Sequence, residues 1–286
     1  MINLQSLSIS GFIPSETTSL FEQLLALPPD RLAKITSLSL EFWVEVAPVK
    51  LSGDSLIPLL PQLDVESLSL QGADFTGFEF PDGYRLELRR FGWENCELKD
   101  EAMMMINSTR DSLESLTLRF DNYSGSTLFS PVTTFTSLHS LPRLTYLSLQ
   151  DIQTDPTSIH IIWIPAAKSA NASLSDRFKE LFDACTALRW LKIGLSPRMH
   201  PDTSSEVDFH LELLPKSIIH LEFSLEGRRA VAPRALEIVS WLEGGGGGGL
   251  RTLIVSGMDG MAELENICSA RKINLNGGDV DARSTA

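Results

Sequence analysis

The side chains able to do chemistry are few and widely spaced. Five histidines are present, His139, His160, His200, His210 and His220. No pair has HExxH spacing, and none stands beside cysteines in a zinc-binding pattern. His210 and His220, with Glu212 between them, read as loop and surface residues, so no metal site is expected. Cys96, Cys185 and Cys268 are odd in number and far apart. They form neither a disulfide framework nor a CxxC knuckle, which fits a reducing compartment. There is no GxSxG nucleophile elbow, and no basic residue pattern marks a cysteine as activated. The six glycines Gly244–Gly249 lack the Lys-Ser/Thr that completes a phosphate loop and read as a slack connector. Met103-Met104-Met105-Ile106 reads as part of a buried crossover helix rather than an adaptable binding surface. A carboxylate pair could be picked at will from 37 acidic residues, so none carries weight. The expectation is a non-catalytic chain with no cofactor.

Composition bounds the partners. The chain has 286 residues, 43% of them hydrophobic and 21% charged, enough for a sizeable core and against wholesale disorder. Its net charge of −13, with no Lys/Arg cluster along the sequence, excludes nucleic acid as a first expectation. The start, Met1-Ile2-Asn3-Leu4, has no charged n-region and no apolar h-region. The longest apolar run, Ile159 to Ala167, is too short for the roughly 20 residues of a membrane-spanning helix. No membrane association is expected, and the compartment reads as cytoplasm or nucleus. On that reading the tripeptides at Asn107, Asn122 and Asn171 are chance matches to the glycosylation pattern.

The element that would position any site is a repeat. One phrase, LxxLxL, recurs with first residues at Leu4, Ile35, Val65, Leu88, Leu113, Leu144, Leu188, Ile218 and Leu250, and more weakly near Ala270. The steps between good copies run from 23 to 44 residues. Strands this short pair in parallel only through a crossover of a dozen or more residues, usually a helix. The spacing and composition predict helices in Ser15–Leu27, Lys99–Asn107, Leu174–Cys185, Pro233–Glu243 and Asp259–Ala270. In the third, Phe178, Leu181, Phe182 and Cys185 form an inward stripe at i, i+3, i+4 and i+7. Strand, crossover and next strand should stack into a solenoid of about nine to ten irregular repeats over residues 1–276, an α/β fold. An insertion falls at about 150–175, and residues 277–286 read as a flexible tail.

These LxxLxL strands with helical returns resemble leucine-rich repeat proteins over essentially the whole chain. Leu88, Phe91, Trp93, Cys96 and Leu98 fit LxxLxLxxCxL best. The long, uneven intervals look like the repeat portion of fungal F-box proteins, which implies substrate recognition in a ubiquitin pathway. The chain begins inside its first strand, and Leu27-Pro28-Pro29-Asp30 runs directly into the strand at Ile35, so adaptor binding through an F-box is not expected. The sequence departs from the family at the ninth position, which holds Phe12, Trp43, Ala73, Cys96, Asp121, Ile152, Ser196, Glu226 and Met258 where Asn or Cys would be usual. Each turn must satisfy its backbone groups in another way.

In LxxLxL the third, fifth and seventh positions point away from the core. The first three strands offer a bland serine tract. From the fourth onward this face offers Arg90 and Glu94, then Arg119, then Tyr146 and Gln150, then Trp190 and Lys192, then His220 and Glu222. An outward Trp and Tyr on successive strands, flanked by charges, has the composition of a binding hot spot for another protein. Three alternatives stay open: the insertion folds over this patch and buries it, the chain is a vestigial or partial F-box/leucine-rich repeat product with a structural role only, or it is an enzyme on an unrecognised α/β fold.

Overall fold

The computed structural model describes residues 5–11, 22–32, 34–42, 49–50, 56, 59–74, 85–94, 100–119, 141–153, 179, 181–196, 210–223, 235–256 and 261–278. The sequence reads as one run of repeats, whereas the chain divides into two compact units, Met1–Arg143 and Leu144–Ala286. Each is an α/β arrangement whose strands pair in parallel.

In the first unit, β1 (Ser6–Ser10), β2 (Ser37–Glu41), β4 (Ser67–Gln71), β6 (Arg90–Glu94) and β7 (Ser115–Arg119) lie side by side in that order. The two-residue strands β3 (Val49–Lys50) and β5 (Ala73–Asp74) form a separate parallel pair. Every repeat phrase aligns with the next at equal positions. Leu7, Leu38, Leu68, Phe91 and Leu116 make one column, and Ile9, Leu40, Leu70, Trp93 and Leu118 a second. All but Leu7 are buried. Phe91 and Trp93 meet edge to face with ring centroids 5.9 Å apart. The second unit repeats this with β8 (Tyr146–Gln153), β9 (Trp190–Ser196), β10 (His220–Phe223), β11 (Thr252–Ser256) and β12 (Asn274–Gly278). Its inner column is Leu147, Leu191, Leu221, Leu253 and Leu275. Burying one such leucine is worth about 1.5–3 kcal/mol, so the columns supply the main drive for stacking.

A backbone ladder binds the repeats at the leading end of the strands. In most, the carbonyl of the second phrase residue accepts two N–H groups from the following repeat. Gln5 takes Thr36 and Ser37, Thr36 takes Glu66 and Ser67, Glu66 takes Arg89 and Arg90, and Arg89 takes Glu114 and Ser115, all at 2.8–3.1 Å. Thr145, Arg189 and Ile219 do the same for the repeats that follow them. At the trailing end, where the buried Asn or Cys would stand, the Gly11 N–H donates to the Glu41 carbonyl, Phe42 to Gln71 and Gly72 to Glu94, a backbone route by which these turns satisfy their polar groups. Of the ninth-position residues, Ala73, Ile152 and Ser196 lie within strands. Phe12, Trp43, Cys96, Asp121, Glu226 and Met258 lie outside the described residues.

The crossovers include helices at Asp100–Thr109, Ala235–Glu243 and Met261–Ala270, and helical segments at 22–25 and 181–184, all within the intervals predicted or beside them. Met105 and Ile106 are buried, as are Leu181, Phe182 and Cys185. Phe178 lies outside the described residues. The helical segment at 22–25 stops before Pro28-Pro29, and a further turn, Pro29–Leu32, starts at the second proline and buries Leu32. Two more crossovers end in 3-10 turns, Leu60–Gln62 and Leu211–Leu213, that the apolar spacing does not reveal.

The glycine run is the main correction. It does not hang as a slack connector: it closes the helix Ala235–Glu243. The Gly245 N–H donates to the Leu242 carbonyl at 3.0 Å and the Gly246 N–H to the Trp241 carbonyl at 2.9 Å. This is a Schellman cap with Gly245 in the left-handed region, φ +89°. The Trp241 indole lies against Gly246 and Gly247. Arg271 adds donors from Nη1 to the Leu242 carbonyl and, at 2.9 Å, to the Gly246 carbonyl, a cation at a helix C-terminus. The end of the chain differs too, since β12 takes Gly277 and Gly278 into the sheet.

Candidate functional site

The outward positions follow from the pleat, and parallel in-register pairing then brings like positions of neighbouring strands to about 4.8 Å spacing. In the second unit this produces two rows. Tyr146 pairs with Trp190 and Trp190 with His220, while Ser148 pairs with Lys192 and Lys192 with Glu222. Trp190 is the focus, at 46% exposure one of the few large apolar side chains left in solvent among the described residues. Its indole stacks on the His220 imidazole with centroids 3.6 Å apart and planes 20° apart. Beside this pair, Lys192 Nζ meets Glu222 Oε1 at 2.9 Å. Both are partly shielded, and such a pair contributes about 0.2–1 kcal/mol. Its larger effect is to fix two long side chains next to the ring stack.

The His220 Nδ1 atom is shut off from solvent and bonds no described residue. Burial, and then the nearby Arg251 guanidinium, hold the His220 pKa below its ordinary value. A proton therefore binds the unfolded chain more readily than the folded one. The stability that neutral His220 supports is complete above about pH 6.5 and is lost as pH falls from there through the lowered folded value. In urea unfolding across that window, His220→Asn should remove this part of the acid sensitivity; an unchanged pH slope would count against it.

Gln150 departs from the simple outward reading. Leu149 pairs with Ile193 but Ile152 with Leu195, so β8 carries one extra residue as a bulge around Gln150 and Asp151. Gln150 Nε2 donates to Ser148 Oγ at 3.0 Å. Ser148, an outward position by alternation, is fully buried, and Gly194 on β9 is buried too. The outward face of β8 and β9 is thus partly closed, while Trp190 stays open and Tyr146 half-open. The rest of the insertion, from 154 to about 175, lies outside the described residues.

Arg90, Glu94 and Arg119 belong to the first unit, where Glu94 stands in register with Arg119 across β6 and β7. Arg90 is exposed, and the other two are half-buried. Ile254, which alternation also turns outward, is half-buried on β11 in register with Glu222, while alternation missed the exposed Arg189 and Arg251 just before β9 and β11.

Burial pushes the Cys185 thiol up to about 12 and raises Cys268 as well, so both favour the unreactive thiol. Among the described residues no group of three or more His, Cys, Asp or Glu is placed to hold a metal ion. No helix among them is long and apolar enough to cross a membrane.

Fold and face together define a parallel α/β chain with a ring stack on the outward side of its second unit. Comparison with known proteins adds no identity: no family model matches the chain, and no curated protein matches it.

Proposed function

We propose that the chain is a leucine-rich repeat protein that binds another protein through the sheet face of its second unit, without catalysis. The resemblance to the repeats of F-box proteins makes substrate recognition in a ubiquitin pathway the setting. One observation carries the reading: Trp190 stays open on the face while held rigid against His220. A protein that exposes an indole loses solvent entropy, and fixing the ring in advance reduces the ordering cost of a partner's arrival. The in-register phrase columns and the repeated two-donor backbone ladder support the repeat assignment.

Trp190→Ala with Tyr146→Ala should weaken partner capture about tenfold or more while leaving the unfolding midpoint near that of the wild type. The measurement is quantitative pull-down from cell extract with a photo-crosslinker on the face. Capture that is equal for the variant and the parent would sink this site.

A further inference from the structure

Within each unit the residues just before the strands form a row, joined through the backbone ladder. In the first unit the row runs Gln5, Thr36, Glu66, Arg89, Glu114. There Arg89 sits between two glutamates, with Nη2 3.1 Å from Glu114 Oε1 and Nη1 4.0 Å from Glu66 Oε2. In the second unit the corresponding row runs Thr145, Arg189, Ile219, Arg251. Its two arginines are exposed and form no ion pair with another described residue. The described turns that lead into β9 to β12 (186–189, 214–219, 247–251 and 270–273) contain Arg189, Lys216, Arg251, Arg271 and Lys272 and no acidic residue. Arg271 is occupied by the carbonyls of Leu242 and Gly246. On the adjoining face, Glu222 is already matched by Lys192. Residues some 30 positions apart in the chain are thereby gathered into a basic edge on a protein of net charge −13.

From this we infer that the partner is an acidic protein segment whose carboxylates take the places at Arg189 and Arg251 that Glu66 and Glu114 take at Arg89. The inference rests on the protein-binding reading above and specifies its chemistry. The first unit displays which ligand an arginine in this row accepts. Arg189 and Arg251 are two strand spacings apart, about 10 Å, close to the separation of side chains three residues apart on one face of a polyproline-II segment. Carboxylates so placed would form forked pairs with the guanidinium groups. An apolar side chain between or beside them would cover Trp190. A nucleic acid could meet the same arginines, but the protein's overall negative charge opposes a long polyanion more than a short acidic segment.

The test is selection of a displayed random-peptide library on the full chain, followed by affinity measurement of the selected peptides. Wild type should enrich peptides rich in Asp and Glu with an apolar residue. Arg189→Glu with Arg251→Glu should weaken them about tenfold or more and shift selection toward basic peptides. The milder pair Arg189→Gln with Arg251→Gln should give a smaller loss in the same direction, with the thermal midpoint as the check on folding. Enrichment without acidic bias that is still lost in Trp190→Ala would overturn the acidic partner and leave the binding face standing. Enriched peptides indifferent to all these substitutions, or no enrichment at all, would overturn both. A single-stranded oligonucleotide that displaces the peptides through the same arginines and binds more tightly would also overturn the proposal.

Discussion

Leu253→Ala should lower stability by about 2–5 kcal/mol, whereas Ile254→Ala, one residue along the same strand, should cost no more than about 1 kcal/mol. Leu253 is fully buried, flanked in register by Leu221 and Leu275. Removing its side chain leaves a cavity that the fixed backbone ladder on both sides hinders from collapsing. Ile254 points to the other face and is only half-buried. Urea unfolding followed by circular dichroism measures both, with an unchanged slope confirming that the same surface is exposed on unfolding. Because a side-chain period of two means that a one-residue slip exchanges the faces, the reverse order of costs would refute the register. Against a typical total of 5–15 kcal/mol for a folded domain, the larger loss would leave a substantial unfolded population.

Gly246→Ala is expected to cost about 1–3 kcal/mol, although it lies in a run of six glycines. A Cβ there would come 2.3 Å from Trp241 Nε1 and 2.5 Å from Trp241 Cδ1 and Cε2. Either the indole leaves its place or the helix cap opens. Gly248 is the internal control, since a Cβ there meets nothing within 4 Å. Gly248→Ala should be neutral or slightly stabilising, because alanine restricts the unfolded chain. In a Trp241→Ala background the cost of Gly246→Ala should shrink, and thermal unfolding of the four proteins gives the coupling directly. Equal effects at 246 and 248 would mean that the run is slack after all.

The pleat explains why so much of the face is legible in one sequence. Alternation along a strand is a property of local covalent geometry, so LxxLxL alone puts Leu191 and Ile193 inside and Trp190 and Lys192 outside. Equal phrases on successive strands also favour equal register, since any other offset would misalign the leucine columns. From that register the rows Tyr146–Trp190–His220 and Lys192–Glu222 follow. The helices at Asp100–Thr109, Ala235–Glu243 and Met261–Ala270 are legible for a similar reason, since parallel strands need a long return and the apolar spacing marks where it lies.

What only the tertiary structure decides is how neighbours from distant parts of the chain fill or neutralise each position. Composition makes Gly244–Gly249 look unstructured, but the indole of Trp241 and the guanidinium of Arg271, 25 residues on from Gly246, give it a fixed shape. Alternation assigns Ser148 to solvent, but a bulge turns Gln150 onto it. The chain shows no basic cluster because Arg189 and Arg251 are separated by a whole repeat and more; only the parallel stacking sets them in one row without the glutamates that flank Arg89. The scarcity of reactive patterns in the sequence thus stands beside a surface that the sequence does not display: side-chain direction is set within a strand, while the charge and cover around it are set across the sheet.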